Sequence, residues 1–263
     1  MFVALDVGGS SIKAGVVDIA SNDPAGTTRE FSGVGEVTRV PLDHSSDRAS
    51  LIAAFATAIE STYATLHGHA ADGIVIAVPD PFNHAEGISL MEHKFGALYG
   101  CRLGDEIDRF LQTSERSIST PISTPISWCN DAAAAVAGEA VAGAGRGVQR
   151  VLGVTLGTGF GAAFIVNGEV VEAAGGYVIP NLYEHEAPSG GTADSALSAR
   201  AYVERSAQGG TPESFGSDLG EFLAPIVTAI DANLVVVGGG GLASFEHFAP
   251  AMRNQLDVPV VPA

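Results

Sequence analysis

Two stretches of this chain repeat one pattern about 150 residues apart: "FVALDVGGSSIKAGVVD" from residue 2 and "VLGVTLGTGFGAAFIVNGEV" from residue 151. Each reads as an apolar strand, a glycine-rich turn and a second apolar strand, which is a β-hairpin. In the second, Asn167-Gly168 adds a further tight turn into "EVV", a pair favoured where hairpin turns need positive φ. One recurrence at this distance is no solenoid period. It predicts two related domains, each offering a bare turn. With 263 residues, 46% hydrophobic and 7% aromatic, the chain can fill two modest α/β cores without covalent staples.

Residues 2–7 and 12–18 are the first strands, "GEVTRVPL" (35–42) is a third, and the turn-rich "SNDPAGTTREFSG" between them reads as a surface loop. From Ser46, available as a cap, Leu51, Ile52, Phe55, Ile59, Tyr63 and Leu66 recur at helical spacing. "GIVIAV" (73–78) is a buried strand ending at Pro79-Asp80-Pro81, and an irregular stretch, too polar at its centre to be core, runs to about residue 100. "TSERSISTPISTP" (113–125) marks a boundary that divides the chain into domains 1–118 and 119–263, with "ISWCN" opening the second. There, residues 131–142 form an alanine-rich helix, and 151–156 and 162–166 are strands. Residues 194–206 and 216–230 are helical, the latter kinked or split by Pro225. "NLVVVGGGG" (233–241) is a buried strand entering four glycines, with a helix near 243–255.

Thirty acidic against thirteen basic side chains give a net charge of −17. That argues against nucleic acid as a partner, since neutralising phosphates needs a basic face. No apolar run is long enough to span a bilayer, and Asp6, with no basic segment before it, argues against a signal peptide. No membrane partner is expected. Cys101 and Cys129 are too few for a disulfide framework and read as buried thiols of a cytoplasmic protein.

Successive N–H groups on a glycine turn suit phosphate oxygens. At the first turn Gly8 and Gly9 supply bare backbone, Ser10 and Ser11 hydroxyls, and Lys13 positive charge; Gly157, Thr158 and Gly159 form the second. Either turn alone is equally a plain hairpin turn. The P-loop pattern GxxxxGK[ST] is absent. "GTGFGA" spells the dinucleotide fingerprint, but that needs a helix next, and "AFIVNGEVV" is strand and turn. Asp6 would repel phosphate unless a cation intervened. Mg²⁺ held through water resolves this; the alternative is a turn-capping aspartate.

In these residues the chain resembles the ROK family of sugar kinases, within the actin-like ATPase superfamily, over most of its length. "LDVGGSSIKAGVVD" is similar to the family's first phosphate motif and "NDAAAAVAGEAVAGAGRG" to its catalytic-aspartate helix. "VLGVTLGTGFGAAFIVNGEVV" is similar to the second phosphate motif, and "LVVVGGGG", with Gly238, Gly239 and Gly240, to the adenosine motif. The resemblance implies an α/β fold of two ribonuclease-H-like (actin-like ATPase) domains with a nucleotide and sugar cleft between them. It implies phosphorylation of a hexose or related sugar by ATP with Mg²⁺, polyphosphate being the donor for some members. Asp131 would be the general base and Asn130 a substrate contact; the plainer alternative is that the pair only starts a helix. Sugar and nucleotide are the implied partners, and a homodimer is common among relatives.

The chain also departs from the pattern. Where the family carries GExGH and a zinc-binding cysteine cluster, "NLYEHEAPSGGTADSALSAR" has no cysteine. His185 falls on the family histidine and Leu182 on its glutamate, with Glu184 or Glu186 as substitutes, while Asp194 falls on the final sugar-binding glutamate. Zinc is not expected without the thiolates. Nor is another metal at Glu184-His185-Glu186, since adjacent side chains rarely point the same way. In "PDPFNHAEGISLMEHKFGALYG", Asp80 replaces a common glycine, and Asn83, His84, Glu92 and His93 are candidate sugar contacts. No helix-turn-helix precedes residue 1, which sets the family's repressor branch aside, and "VPVVPA" stands where the family continues into a strand and a final helix. The leading reading is a sugar kinase. A non-catalytic sugar or phosphosugar sensor is second, and a filament-forming actin relative third.

Overall fold

The first hairpin pairs β1 (Phe2–Val7) antiparallel with β2 (Ser11–Ser21), setting Asp6 opposite Lys13. Alternate residues Val3, Leu5 and Val7 of β1 are buried, as a strand with one face on a core requires. The computed structural model describes residues 1–21, 29–92, 94–113 and 124–263. They divide into two compact units, Met1–Asp131 and Ala132–Ala263.

In the first unit β3 (Arg29–Val34) and β4 (Thr38–Pro41) both pair antiparallel with β2, at its far and near ends respectively. β3 corrects the surface loop expected over 21–33: Arg29–Val34 gains a ladder on β2 that turn-rich composition does not reveal, and residues 22–28 lie outside the described residues. Helix α1 (Arg48–Ala64) buries Leu51, Ile52, Phe55 and Ile59, and its N-cap is Asp47, not Ser46. Asp47 accepts from the Ser50 N–H at 2.8 Å, satisfying a donor that the first turn leaves open.

β5 (Gly73–Val78) lies parallel to β1, and β8 (Ile126–Asn130) parallel to β5, so the sheet order is β3-β2-β1-β5-β8. β8 therefore belongs to the first sheet. The boundary expected at 118/119 falls outside the described residues, and residues 124–131 side with the first unit because their ladder is there. The irregular stretch, expected to be too polar at its centre for core, contains β6 (Phe82–Asn83), β7 (Ile88–Ser89) and a 3-10 turn at Gly96–Leu98. Its Phe82, Met91, Phe95 and Leu98 are buried with β1, β5 and α1. The apolar residues are too irregularly spaced to match a helix or strand period. Helix α2 (Leu103–Thr113), not anticipated, buries only Leu103 and Ile107.

The second unit repeats the topology. β9 (Arg150–Leu156), β10 (Phe160–Val166) and β11 (Glu169–Val170) form an antiparallel meander, with Asn167 at φ 53° and Gly168 at 85° in the turn. β14 (Leu234–Gly238) and β15 (Val260–Pro262) add in parallel beside β9, giving β11-β10-β9-β14-β15. β15 is the "VPVVPA" segment, a strand in the sheet. A small hairpin, β12 (Ala173–Ala174) with β13 (Tyr177–Val178), follows the meander. Along the main path of each sheet three antiparallel strands are followed by two parallel ones, and in the first sheet β4 adds to β2.

Helix α3 (Asp131–Ala142) packs Val136 among Val151, Ala163, Ile165, Leu234 and Val236. Glycines make this close approach possible: a Cβ on Gly153 would fall 2.2 Å from Val136 Cγ2, and one on Gly161 2.8 Å from Ala132 Cβ. The larger core lies among β9, β10, β14 and the remaining helices. These are α4 (Ala193–Leu197), α5 (Ala199–Ala207), α6 (Pro212–Ile230) and α7 (Phe245–Arg253). The helix expected over 194–206 breaks at buried, extended Ser198, whose side chain caps α5. α6 runs through Pro225 without splitting. The carbonyl that loses its partner there is that of Glu221, which is exposed, so water can take the bond. Among the described residues no helix is long and apolar enough to cross a membrane.

Candidate active site

In the first sheet β1, β5 and β8 run parallel, with Asp6 beside Ala77 and Ala77 beside Cys129. Their carboxyl ends therefore align, bringing Asp6, Asp80 and Asn130-Asp131 to one edge. Adjacent strands lie about 4.8 Å apart, so β1 and β8 end about 10 Å from each other. Carboxyl ends of parallel strands are the usual ligand edge of an open α/β sheet, because the connecting loops leave a crevice there.

Asp6 and Lys13 meet at 2.8 Å, each about half exposed. The positive charge expected to face phosphate is therefore shared with Asp6. At the turn, Gly8 N–H donates to Ser11 O at 3.0 Å, while the N–H groups of Gly9 and Ser10 have no hydrogen-bond partner among the described residues. Two open amides at one turn are a pair of donors that an anion can use. Ser11 differs from the sequence expectation: it is buried, and its hydroxyl accepts from Arg39 Nη1 at 3.0 Å. Arg39, missed in the sequence, stands opposite Lys13 on β4. Its signal was the alternation of "TRVP".

Asn130 donates from Nδ2 to Asp80 Oδ2 at 2.8 Å, and His84 Nε2 stands 3.6 Å from Asp80 Oδ1. Asp80 thus fixes the side chain next to Asp131. Asp131 is half-buried and opens α3, whose first-turn amides and dipole favour a carboxylate. Burial, and then the Asp131 charge, push the Cys129 thiol up, so this half-buried cysteine favours its protonated form. Of the candidate sugar contacts, Asn83 is bonded to Glu86 through both its amide nitrogen and its oxygen, and Arg102 holds Glu86 at 2.9 Å. Glu92 is exposed, and His93 lies outside the described residues.

In the second unit Gly157 N–H donates to Gly159 O at 2.9 Å, leaving the Thr158 and Gly159 amides without a hydrogen-bond partner among the described residues. β9 pairs with β14 through Thr155 and Gly238, which brings the second glycine turn beside Gly238–Gly240. Gly239 has φ 87°, and a Cβ there would fall 2.6 Å from Leu156 O. Only glycine fits this position. Asp194 lies against the same turn, accepting from Phe160 N–H at 3.0 Å and pairing with Arg200 at 3.4 Å. Gly159 leaves room for it, since a Cβ would come 2.5 Å from Asp194 Oδ1. Asp194, expected on the sugar, thus buttresses the second glycine turn in this structure, together with Arg200, which the sequence reading missed.

Where a zinc cluster would lie, backbone closes the loop: Ala187 N–H bonds Gly191 O at 2.9 Å and Gly190 N–H bonds Ala187 O at 2.9 Å. Glu184, His185 and Glu186 are all exposed. Glu184 accepts from Tyr183 OH at 3.1 Å. His185 lies 5.7 Å from the Tyr177 ring and lines a hollow of about 510 Å³ with Glu186, Pro188, Glu221 and Phe222. Among the described residues no three metal-ligating side chains group together. Mg²⁺ needs no such cage, because it binds through one or two carboxylates and keeps most of its waters. The half-exposed Asp6 carboxylate fits that role.

The ROK family model matches residues 2–179. The chain belongs to the ROK family. It is 26% identical to an inorganic polyphosphate/ATP-glucomannokinase from Arthrobacter sp. strain KM, with TM-score 0.72 over 99% of this chain and 91% of that one. A ROK family glucokinase from Streptomyces griseus, solved with glucose and AMPPNP, shares 19% identity at TM-score 0.70, covering 100% and 94%. A ROK family transcriptional regulator, a homologue of the E. coli MLC protein, shares 17% at TM-score 0.69, covering 99% and 73%. The last two bear on fold alone. An uncharacterised protein of Clostridium perfringens (strain 13 / Type A) is 30% identical over 150 residues, and this chain spans about half its length, 51%. The fold is the two-domain actin-like ATPase fold, with one ribonuclease-H-like sheet in each unit.

Proposed function

We propose that this ROK protein is a cytoplasmic sugar kinase, transferring the terminal phosphoryl group of ATP to a hydroxyl of a hexose or related sugar. The observation that carries the reading is the alignment of Asp6, Asp80 and Asn130-Asp131 at one strand edge, with open amides at the Gly9-Ser10 turn nearby. Asn130, held by Asp80, orients the sugar, and Asp131 accepts the proton of the attacking hydroxyl. A loose phosphoryl-transfer transition state asks mainly for alignment and charge stabilisation, so the base works chiefly by orienting the nucleophile. Gly9 and Ser10 offer amides to phosphate oxygens, as Thr158 and Gly159 do at the second turn, while Gly238–Gly240 give the nucleotide a surface free of side chains. Mg²⁺, held through water at Asp6, would neutralise phosphate charge. His185 and a neighbouring glutamate, Glu184 or Glu186, remain candidates for further sugar hydroxyls.

A coupled screen of hexoses and amino sugars against Mg-ATP and polyphosphate tests the proposal. Phosphosugar formation with at least one sugar is the expected result; its absence across the panel refutes it. The engagement of Asn83 and Asp194 inside the protein favours a second reading, a sugar-sensing relative without turnover. Sugar-dependent thermal stabilisation without ADP release would select that one, because a ligand of the native state raises its apparent stability.

A further inference from the structure

The chain has two lysines in 263 residues, Lys13 and Lys94, and both lie at the first glycine turn. Lys13 pairs with Asp6 at 2.8 Å. Lys94 sits elsewhere in sequence, yet a Cβ built on Gly9 would stand 3.9 Å from its Cε. The bare face of Gly9 therefore looks onto the end of the Lys94 side chain, which has no ion-pair partner among the described residues. In a chain with 30 acidic side chains, a half-buried lysine with no ion pair among the described residues is unexpected as a purely structural feature. It leaves a cation next to the open amides of Gly9 and Ser10.

The backbone that carries Lys94 is firmly anchored. Phe95 follows it at φ 53°, 1% exposed and edge-on to His44 at 6.3 Å, and Leu98 N–H donates to Phe95 O at 2.8 Å. A left-handed conformation is uncommon for a bulky residue and persists only where packing determines it. An ammonium on a fixed base is a point-charge donor suited to phosphate oxygens.

We infer that Lys94 is a phosphate ligand of the first turn, binding the anionic end of the phosphate donor together with the Gly9 and Ser10 amides. This rests on the kinase reading for its role in turnover, but not for binding itself. ATP and inorganic polyphosphate present the same oxygens to this group, so the test uses both, with tripolyphosphate as a sugar-independent probe.

Wild type, Lys94→Met and Lys94→Arg would be titrated with Mg-tripolyphosphate and Mg-ATP by calorimetry, after their unliganded melting temperatures are matched. Loss of one charge-assisted bond corresponds to about ten- to hundredfold in affinity. Lys94→Met should weaken both ligands by that factor, and Lys94→Arg should restore most of it. Steady-state assays should raise KM for the donor and leave the sugar KM unchanged. Equal affinities in wild type and Lys94→Met overturn the inference, as does a wild type that binds neither ligand. Lys94-dependent binding in a protein that transfers no phosphate would uphold the inference while refuting the kinase reading. Phosphate transfer with a donor KM unchanged by Lys94→Met would do the reverse.

Discussion

Gly153→Ala tests whether the helix carrying Asp131 is held in place by the glycine beneath it. The new Cβ would stand 2.2 Å from Cγ2, 2.4 Å from Cγ1 and 2.8 Å from Cβ of Val136. Comfortable carbon contacts are about 3.5–4.0 Å, so relief requires α3 to lift by more than about 1 Å. Val136 cannot swing aside, because it is 3% exposed and a β-branched side chain in a helix has one strongly preferred rotamer. Overpacking costs about 1–3 kcal/mol, and a stiff neighbour places this case at the upper end. For a chain of this size that lowers the melting temperature by about 5–12 °C. A displacement of about 1 Å at Asp131 should cut kcat by about a hundredfold, with nucleotide affinity near that of the parent. Calorimetric melting and sugar-dependent ADP release read the two effects. Adding Val136→Ala removes the two closest contacts and should recover part of both losses. A Gly153→Ala protein that melts within about 1 °C of its parent would refute the packing argument.

Asp80→Ala removes the acceptor that holds Asn130 and should raise the sugar KM about tenfold, the strength of a bond to a charged group; an unchanged KM counts against this positioning role. In a Cys101→Ser background, Asp131→Asn should lower the Cys129 pKa and speed its alkylation at pH 8, since the Asp131 charge helps keep that thiol protonated; an unaltered rate would mean the two do not interact. Asp108 is held above the usual carboxylate range by burial and then by Asp105. Its folded form therefore favours the proton, and it lowers stability at neutral pH. Asp108→Asn should raise the melting temperature at pH 7, with the gain fading as pH falls toward the ordinary carboxylate pKa; a gain independent of pH would rule out ionisation as the cause. Asp47, held low first by the Ser50 N–H bond, acts in the opposite sense: its stabilisation of α1 is present above the usual carboxylate pKa and lost as pH falls through the lowered value. Hydrogen exchange in α1 should accelerate there, and not in Asp47→Asn.

The hairpins, α3 and the glycine strand were legible in the sequence because period, turn residues and apolar runs agree over "FVALDVGG", "VLGVTLGTG" and "LVVVGGGG". β3 was not, since Arg29–Val34 owes its strand state to the neighbouring edge of β2. The buried segment around Met91, Phe95 and Leu98 lacked any regular period. At the site, Asp6, Asn130 and Asp131 share an edge only through strand order, which no local pattern encodes. For Asp194 its place in the sequence suggested sugar, and the sequence did not reveal its bond to Phe160 N–H or its pairing with Arg200 at the second glycine turn. Lys94 was missed because it follows a polar loop, although its being one of two lysines was there to read.

The most direct measurement compares wild type with Asp131→Asn for sugar-dependent ADP release, with Mg-ATP affinity measured by calorimetry on the same preparations. The account predicts a kcat lower by about 10²–10⁴ at nearly unchanged ATP affinity. Equal turnover in the two proteins would contradict it.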